Sequence, residues 1–153
     1  MSAICIIDTS VFCNILGVPN RNQRRAQSLK ELRDHFDSGN TLLLPLATIY
    51  ETGNHIAQQG DGRTRRRVSE LFVQQVKVAL EGGSPFTPTL IHRKEELSAW
   101  LSEFPDRAMA GIGFGDMSII KLFETECARH PAHRILIWSY DKDLQGYDRP
   151  SIL

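Results

Sequence analysis

Ala3-Ile-Cys-Ile-Ile7-Asp8-Thr9-Ser10 is the stretch whose reading decides the fold. Five apolar residues run without polar interruption, too few for a helix, and stop at an aspartate followed by two hydroxyl side chains. A short unbroken apolar run is the pattern of a strand buried on both faces. Thr9 or Ser10 is then the start of a helix. A strand of this kind delivers Asp8 at its carboxyl end. The pattern returns late in the chain, where Arg134 to Ser139 encloses Ile135-Leu-Ile-Trp138 and is followed by Tyr140-Asp141-Lys-Asp143.

Between these two runs, strand and helix signals alternate. Residues 24–37 place Ala26, Leu29, Leu32 and Phe36 at helical spacing, closed by Gly39-Asn40. Leu42-Leu-Leu-Pro45 reads as a second buried strand, and Leu46, Ile49, Tyr50, Gly53 and Ile56 mark a helix running to Gln59. Val68, Leu71, Phe72, Val76, Ala79 and Leu80 form the clearest helical stripe, ended by Gly82-Gly83. Phe86 to Ile91 reads as a short strand interrupted by Pro88, and Lys94 to Phe104 as a helix. Pro105 to Gly115 reads as a glycine-punctuated loop, Met117 to Cys127 as a buried helix, and the tail from Tyr147 as a short last strand. Strands alternating with helices imply βαβ units and a parallel sheet covered on both faces. The expected architecture is therefore α/β, a three-layer α/β/α sandwich formed as one domain over residues 1–153.

Bulk composition agrees with a folded domain. The chain has 153 residues, 41% apolar and 24% charged, and a domain of this length buries roughly 70% of its unfolded surface without needing staples. Cys5, Cys13 and Cys127 are odd in number and read as reduced thiols. No apolar run approaches the ~20 residues of a membrane span, and the first residues lack the basic start and long apolar core of a signal peptide. The expectation is a cytoplasmic protein with no membrane partner. Eighteen basic and eighteen acidic residues balance to zero net charge, so long-range attraction to nucleic acid is absent from the overall balance.

Open parallel sheets keep their sites beyond the carboxyl ends of the strands. Asp8 and Asp141 follow strands, Glu51 lies on the helix after the second strand, and Asp116 opens a helix. Only the fold brings residues so distant in sequence together. Clustered carboxylates raise one another's pKa, and a hard divalent cation such as Mg²⁺ or Mn²⁺ relieves that repulsion. Such an ion also acidifies water and stabilises charge on a phosphodiester.

Ile6-Ile-Asp8-Thr-Ser-Val, Thr48-Ile-Tyr-Glu51, Gly113-Phe-Gly-Asp116-Met-Ser-Ile-Ile and Ile137-Trp-Ser-Tyr-Asp141-Lys-Asp143-Leu resemble the four acidic motifs of PIN domains. They stand in family order and span nearly the whole chain. The resemblance implies endonucleolytic cleavage of RNA with Mg²⁺ or Mn²⁺, with Asp8, Glu51, Asp116 and Asp141 catalytic and Asp8, Asp116 and Asp141 holding the metal. Many small bacterial members are VapC-like toxins, which further implies a homodimer and a neutralising antitoxin protein. The fourth motif departs from the family pattern: Ser139 replaces a threonine and Leu144 a phenylalanine. Both Asp141 and Asp143 stay open as the fourth acid, with Asp141 favoured as the nearer to the strand end. Ser10, Ser139 and Asp143 are candidates for hydrogen-bonding a ligating carboxylate or a water.

Each acid alone has an ordinary reading. Asp8 and Asp116 suit helix caps, Glu51 shares a helix side with His55 and Gln58, and Asp141 and Asp143 suit turns. Arg63-Thr-Arg-Arg-Arg67 is the densest basic run, a solvated face or a contact for phosphates. The five histidines show no ligand spacing. Gly111-Ile-Gly-Phe-Gly115 fails as a dinucleotide fingerprint and no Walker lysine follows a glycine run. An Asp-x-Asp phosphatase needs an aspartate where Ser10 stands, and a receiver domain needs one after a central strand, where Leu44-Pro45 supplies none. The rival from another class is a PIN fold used as a noncatalytic RNA-binding or assembly module, which typically lacks one or more of the acids.

Overall fold

The computed structural model describes residues 2–152. The central strand β1 (Ile4–Ile7) is buried at every position, as its unbroken apolar run requires. It leads through Asp8 into α1 (Thr9–Leu16), and α2 (Arg25–Asp37) follows. Next come β2 (Thr41–Pro45), α3 (Leu46–Ala57), α4 (Gly62–Leu80) and β3 (Phe86–Thr89). The chain closes with α5 (Lys94–Met109), α6 (Phe114–Arg129), β4 (Ile135–Trp138) and the two-residue β5 (Asp148–Arg149).

The strands form one sheet in the order β3-β2-β1-β4-β5. All neighbours are parallel except β5, which runs antiparallel to β4. The pleat sends alternate side chains of β1 to opposite faces. Cys5 and Ile7 join Val11, Phe12, Ile56, Val68 and Val76 in one core. Ile4 and Ile6 join Ile119, Ile120 and Leu144 in the other. Two cores separated by one sheet make the three-layer α/β/α sandwich that the alternation of elements leads one to expect.

Strand order reverses at β1, since β2 and β3 lie on one side of it and β4 on the other. A crevice opens where successive crossovers part in this way. Register places it: Ile7 pairs with Trp138, so Asp8 and Ser139 leave adjacent strand ends together, and the Asp8 N–H donates to the Trp138 carbonyl at 3.0 Å.

Three local expectations change. Residues 105–115 do not form one loop: α5 runs through Pro105 to Met109, and α6 begins at Phe114. Gly111 and Gly113 punctuate the tight connection, where Gly111 adopts φ 82°, while Gly115 lies inside α6. Proline is tolerated because α5 is largely exposed, with Trp100 its one buried residue, and a carbonyl left without its helical partner reaches water there. In α2 the expected apolar face is incomplete, Phe36 being 65% exposed. A polar seam replaces it, in which Trp138 Nε1 and the Tyr140 hydroxyl both donate to Glu31 Oε2, at 2.5 and 3.0 Å. Along α4, Val68, Val76 and Ala79 are buried while Leu71 and Leu80 remain largely exposed. Among the described residues the three thiols are free, and no helix is long and apolar enough to cross a membrane.

Candidate active site

Asp8, Glu51, Asp116 and Asp141 line one cleft of about 500 Å³ at the carboxyl edge of the sheet, together with Thr9, Ser10, His55, Gly113 and Tyr140. Each acid arrives on a different element. Asp8 caps α1, its side chain accepting from the Ser10 N–H at 3.4 Å. It is only 3% exposed, and burial of a carboxylate demands partners. They are supplied at Oδ2, which accepts from Ser10 Oγ at 2.8 Å and Ser139 Oγ at 2.7 Å. Among the described residues Oδ1 has no hydrogen bond, which leaves it open to the cleft. The two serines are themselves held, since Ser10 Oγ accepts from the Tyr140 N–H and Ser139 Oγ from the Asp141 N–H, both at 2.9 Å. The capping reading and the site reading of Asp8 therefore describe the same side chain.

Glu51 is placed by two threonines. Thr48 on α3 donates its hydroxyl to the Ile7 carbonyl at 2.7 Å, fastening the helix to the end of β1. Three residues on, the same helix side carries Glu51, and Thr9 Oγ1 donates to Glu51 Oε2 at 2.9 Å. A Cβ at position 115 would collide with Glu51 Oε1. Glycine there is what lets the first turn of α6 approach the Glu51 carboxylate and bring Asp116 alongside. Gly113, rather than Asp116, is the cap residue of α6, and Asp116 lies within the first turn, where the helix dipole favours an anion.

Burial is the main reason the Asp116 carboxyl is pushed up to about 6, and the charges of Asp8, Glu51, Asp141 and Asp143 add to it. Burial also raises Glu51, with Asp8 adding to the effect and the Thr9 hydrogen bond opposing it. These shifts mark carboxylates that share one electrostatic neighbourhood. Asp141 is partly buried and lines the cleft; its Oδ1 accepts from the Asp143 N–H at 2.9 Å, forming a tight turn. Asp143 is exposed and does not line the cleft.

Four carboxylates face this space beside the His55 imidazole, and carboxylate oxygen is the ligand that Mg²⁺ and Mn²⁺ prefer. Asp8 is pre-oriented with one oxygen outward, and the raised Asp116 is a carboxylate whose ionised form needs positive charge nearby. Both observations fit a divalent ion. Among the described residues, no three acidic, imidazole or thiol groups already close on a common point as a metal-binding group. Mutual repulsion opposes such closure until a cation offsets it.

Several cleft residues carry no obvious signal in the chain. Thr9 and Thr48 matter through tertiary hydrogen bonds alone. His55, one turn after Glu51, lines the cleft with its Nδ1 buried and unpartnered among the described residues. Burial lowers its pKa, and Arg21 lowers it further. Arg21, Gln23 and Arg24 reach the cleft from the α1–α2 connection. The Arg63–Arg67 run does not line it: Arg65 donates to the Gln59 and Gly60 carbonyls at 2.7 and 2.6 Å, and Arg66 pairs with Glu70.

Compared with known proteins, the chain matches no family model, no curated sequence and no solved structure. Motif order and site geometry are thus the basis for any functional reading.

Proposed function

We propose that the chain is a metal-dependent endoribonuclease of PIN-domain type that hydrolyses RNA phosphodiester bonds in this cleft. The observation carrying the proposal is the convergence of Asp8, Glu51, Asp116 and Asp141 on one cleft at the sheet's switch point. Asp8, Asp116 and Asp141 would hold Mg²⁺ or Mn²⁺, which supplies charge neutralisation and water activation for phosphodiester hydrolysis. Asp8 is turned by Ser10 and Ser139 so that Oδ1 faces the cleft. Glu51, with Oε2 engaged by Thr9 and its pKa raised by burial, suits proton acceptance at Oε1. The resemblance extends the proposal to a cytoplasmic toxin that forms a homodimer and is silenced by an antitoxin protein.

Purified protein should cleave single-stranded RNA with Mg²⁺ or Mn²⁺ and stop in excess chelator. Asp116→Asn should lower the rate by about a hundredfold while the circular dichroism spectrum is unchanged. Undiminished cleavage in chelator would eliminate the metal mechanism, and a binding protein with no cleavage under any divalent ion would favour the noncatalytic module.

A further inference from the structure

The cleft also carries charge of the opposite sign. The connection between α1 and α2 is tied down at several points. Gly17 takes φ 73° and Asn20 φ 65°, the left-handed region that glycine and asparagine tolerate best. Asn20 Nδ2 donates to Gln59 Oε1 at 3.0 Å, and Gln23 Nε2 to the Asn20 carbonyl at 2.9 Å. The Arg24 N–H donates to Asn14 Oδ1 at 2.8 Å, while Asn14 Nδ2 donates to the Ser10 carbonyl at 2.7 Å. The segment is thereby fixed to the same turn that presents Asp8.

It carries Arg21 and Arg24 to the rim of the acid cleft. The described ion pairs include neither guanidinium, although four carboxylates line the same space. Arg24 instead lies over the Tyr140 ring at 5.0 Å. That ring is held by its hydroxyl, which is 2.8 Å from Ser28 Oγ and donates to Glu31. Stacking limits the freedom of the guanidinium without using its N–H donors. Arg21 lines the cleft together with His55 and Cys13.

A polyanion approaching four carboxylates is repelled, and a chain of zero net charge offers no compensating long-range pull. Attraction must be local. We propose that Arg21 and Arg24 form a phosphate clamp that holds the phosphodiester next to the one in the acid cleft, making the site selective for an unpaired RNA strand. This rests on the ribonuclease reading for its substrate. Guanidinium donors match phosphate oxygens two at a time, and a strand that is unpaired can turn one phosphate down to the buried Asp8 while its neighbour stays at the rim. Tyr140 is a positioning residue for Arg24.

Binding of a fluorescein-labelled single-stranded RNA, followed by anisotropy across a salt series in excess chelator, tests the clamp apart from cleavage. The variants are the double Arg21→Gln/Arg24→Gln and, as a control that removes positive charge remote from the cleft, Arg129→Gln. Arg129 ends α6, roughly 20 Å along the helix from Asp116. The double variant should bind about tenfold more weakly at low salt, and its log–log salt slope should flatten by about 0.7, the value for one phosphate lost. Arg129→Gln should follow the wild type. Equal affinity and slope in the double variant, an equal loss in Arg129→Gln, no wild-type binding, or equally tight binding of a perfect duplex would each overturn the clamp. Parallel cleavage assays with Mg²⁺ separate the two ideas: wild-type binding without cleavage sinks the nuclease and leaves the clamp, whereas cleavage with an unchanged KM in the double variant sinks the clamp alone.

Discussion

Asp116 shows how far one side chain's chemistry depends on distant neighbours. Its carboxyl is raised to about 6, first by burial and then by Asp8, Glu51, Asp141 and Asp143. A folded pKa above the unfolded value means that the native state binds the proton more tightly. The associated stability is complete below about pH 3.8 and is lost as pH rises through about 6. Replacing the group by a neutral isostere removes that loss. In excess chelator, Asp116→Asn should match the wild type near pH 4 in urea unfolding. It should exceed it at pH 7.5 by about 1 kcal/mol, after allowing for solvent screening of a half-buried group. A variant that is less stable than wild type at pH 7.5 would contradict the assigned environment. Gly115 carries a second prediction. Alanine favours a helix by roughly 0.5–1 kcal/mol over glycine, yet its Cβ meets Glu51 Oε1. The flexible end of Glu51 must swing away, so Gly115→Ala should keep or raise the melting temperature while cleavage falls. Undiminished cleavage would show that Glu51 is not needed where it stands. Neither effect is visible in the chain itself, because the glycine and the glutamate meet only across α3 and α6.

At the scale of elements, apolar pattern was the reliable guide and punctuation the weaker one. Ile4–Ile7, Leu42–Leu44 and Ile135–Trp138 are buried strands, because a run with no polar side chain has nowhere to go but between two layers. Pro105 is the counterexample, a helix breaker that does not break α5. The helix survives because its exposed side lets water satisfy the unpaired carbonyl. Pro105→Ala should therefore restore a helical hydrogen bond and raise stability by about 1–3 kcal/mol, with the cleavage rate unchanged. Thermal unfolding checks it, and an unchanged or lower midpoint would mean that Pro105 packs in a way that alanine cannot replace. The α2 face is only partly buried. Leu32 packs against the core while Phe36 stays exposed, and Ser28 and Glu31 add hydrogen bonds to Tyr140 and Trp138.

At the scale of the whole molecule, positive and negative charge are equal in number, yet the cleft gathers four carboxylates and only two arginines. If three of its carboxylates take up a divalent ion, the folded state gains stability by mass action, about 2.7 kcal/mol at a hundred times Kd. Mg²⁺ or Mn²⁺ should raise the melting temperature of the wild type by roughly 5–10 °C and that of Asp116→Asn far less; equal shifts in both proteins would place the ion elsewhere. The sequence by itself determined the layer architecture, since strand length, apolar continuity and the strand–helix alternation are local quantities. It also offered the four acids as a set, Asp8 and Asp141 after strands, Glu51 on the helix after the second strand and Asp116 near the start of a helix. Only the tertiary structure decided that Asp8 and Ser139 leave neighbouring strands, that Thr9 and Thr48 seat Glu51, that Asp141 rather than Asp143 lines the cleft, and that Arg21 and Arg24 line it with the acids. The physical reason is that these relations depend on strand order and register. Those are set by how two cores close on one sheet, and no local stretch of chain carries that information.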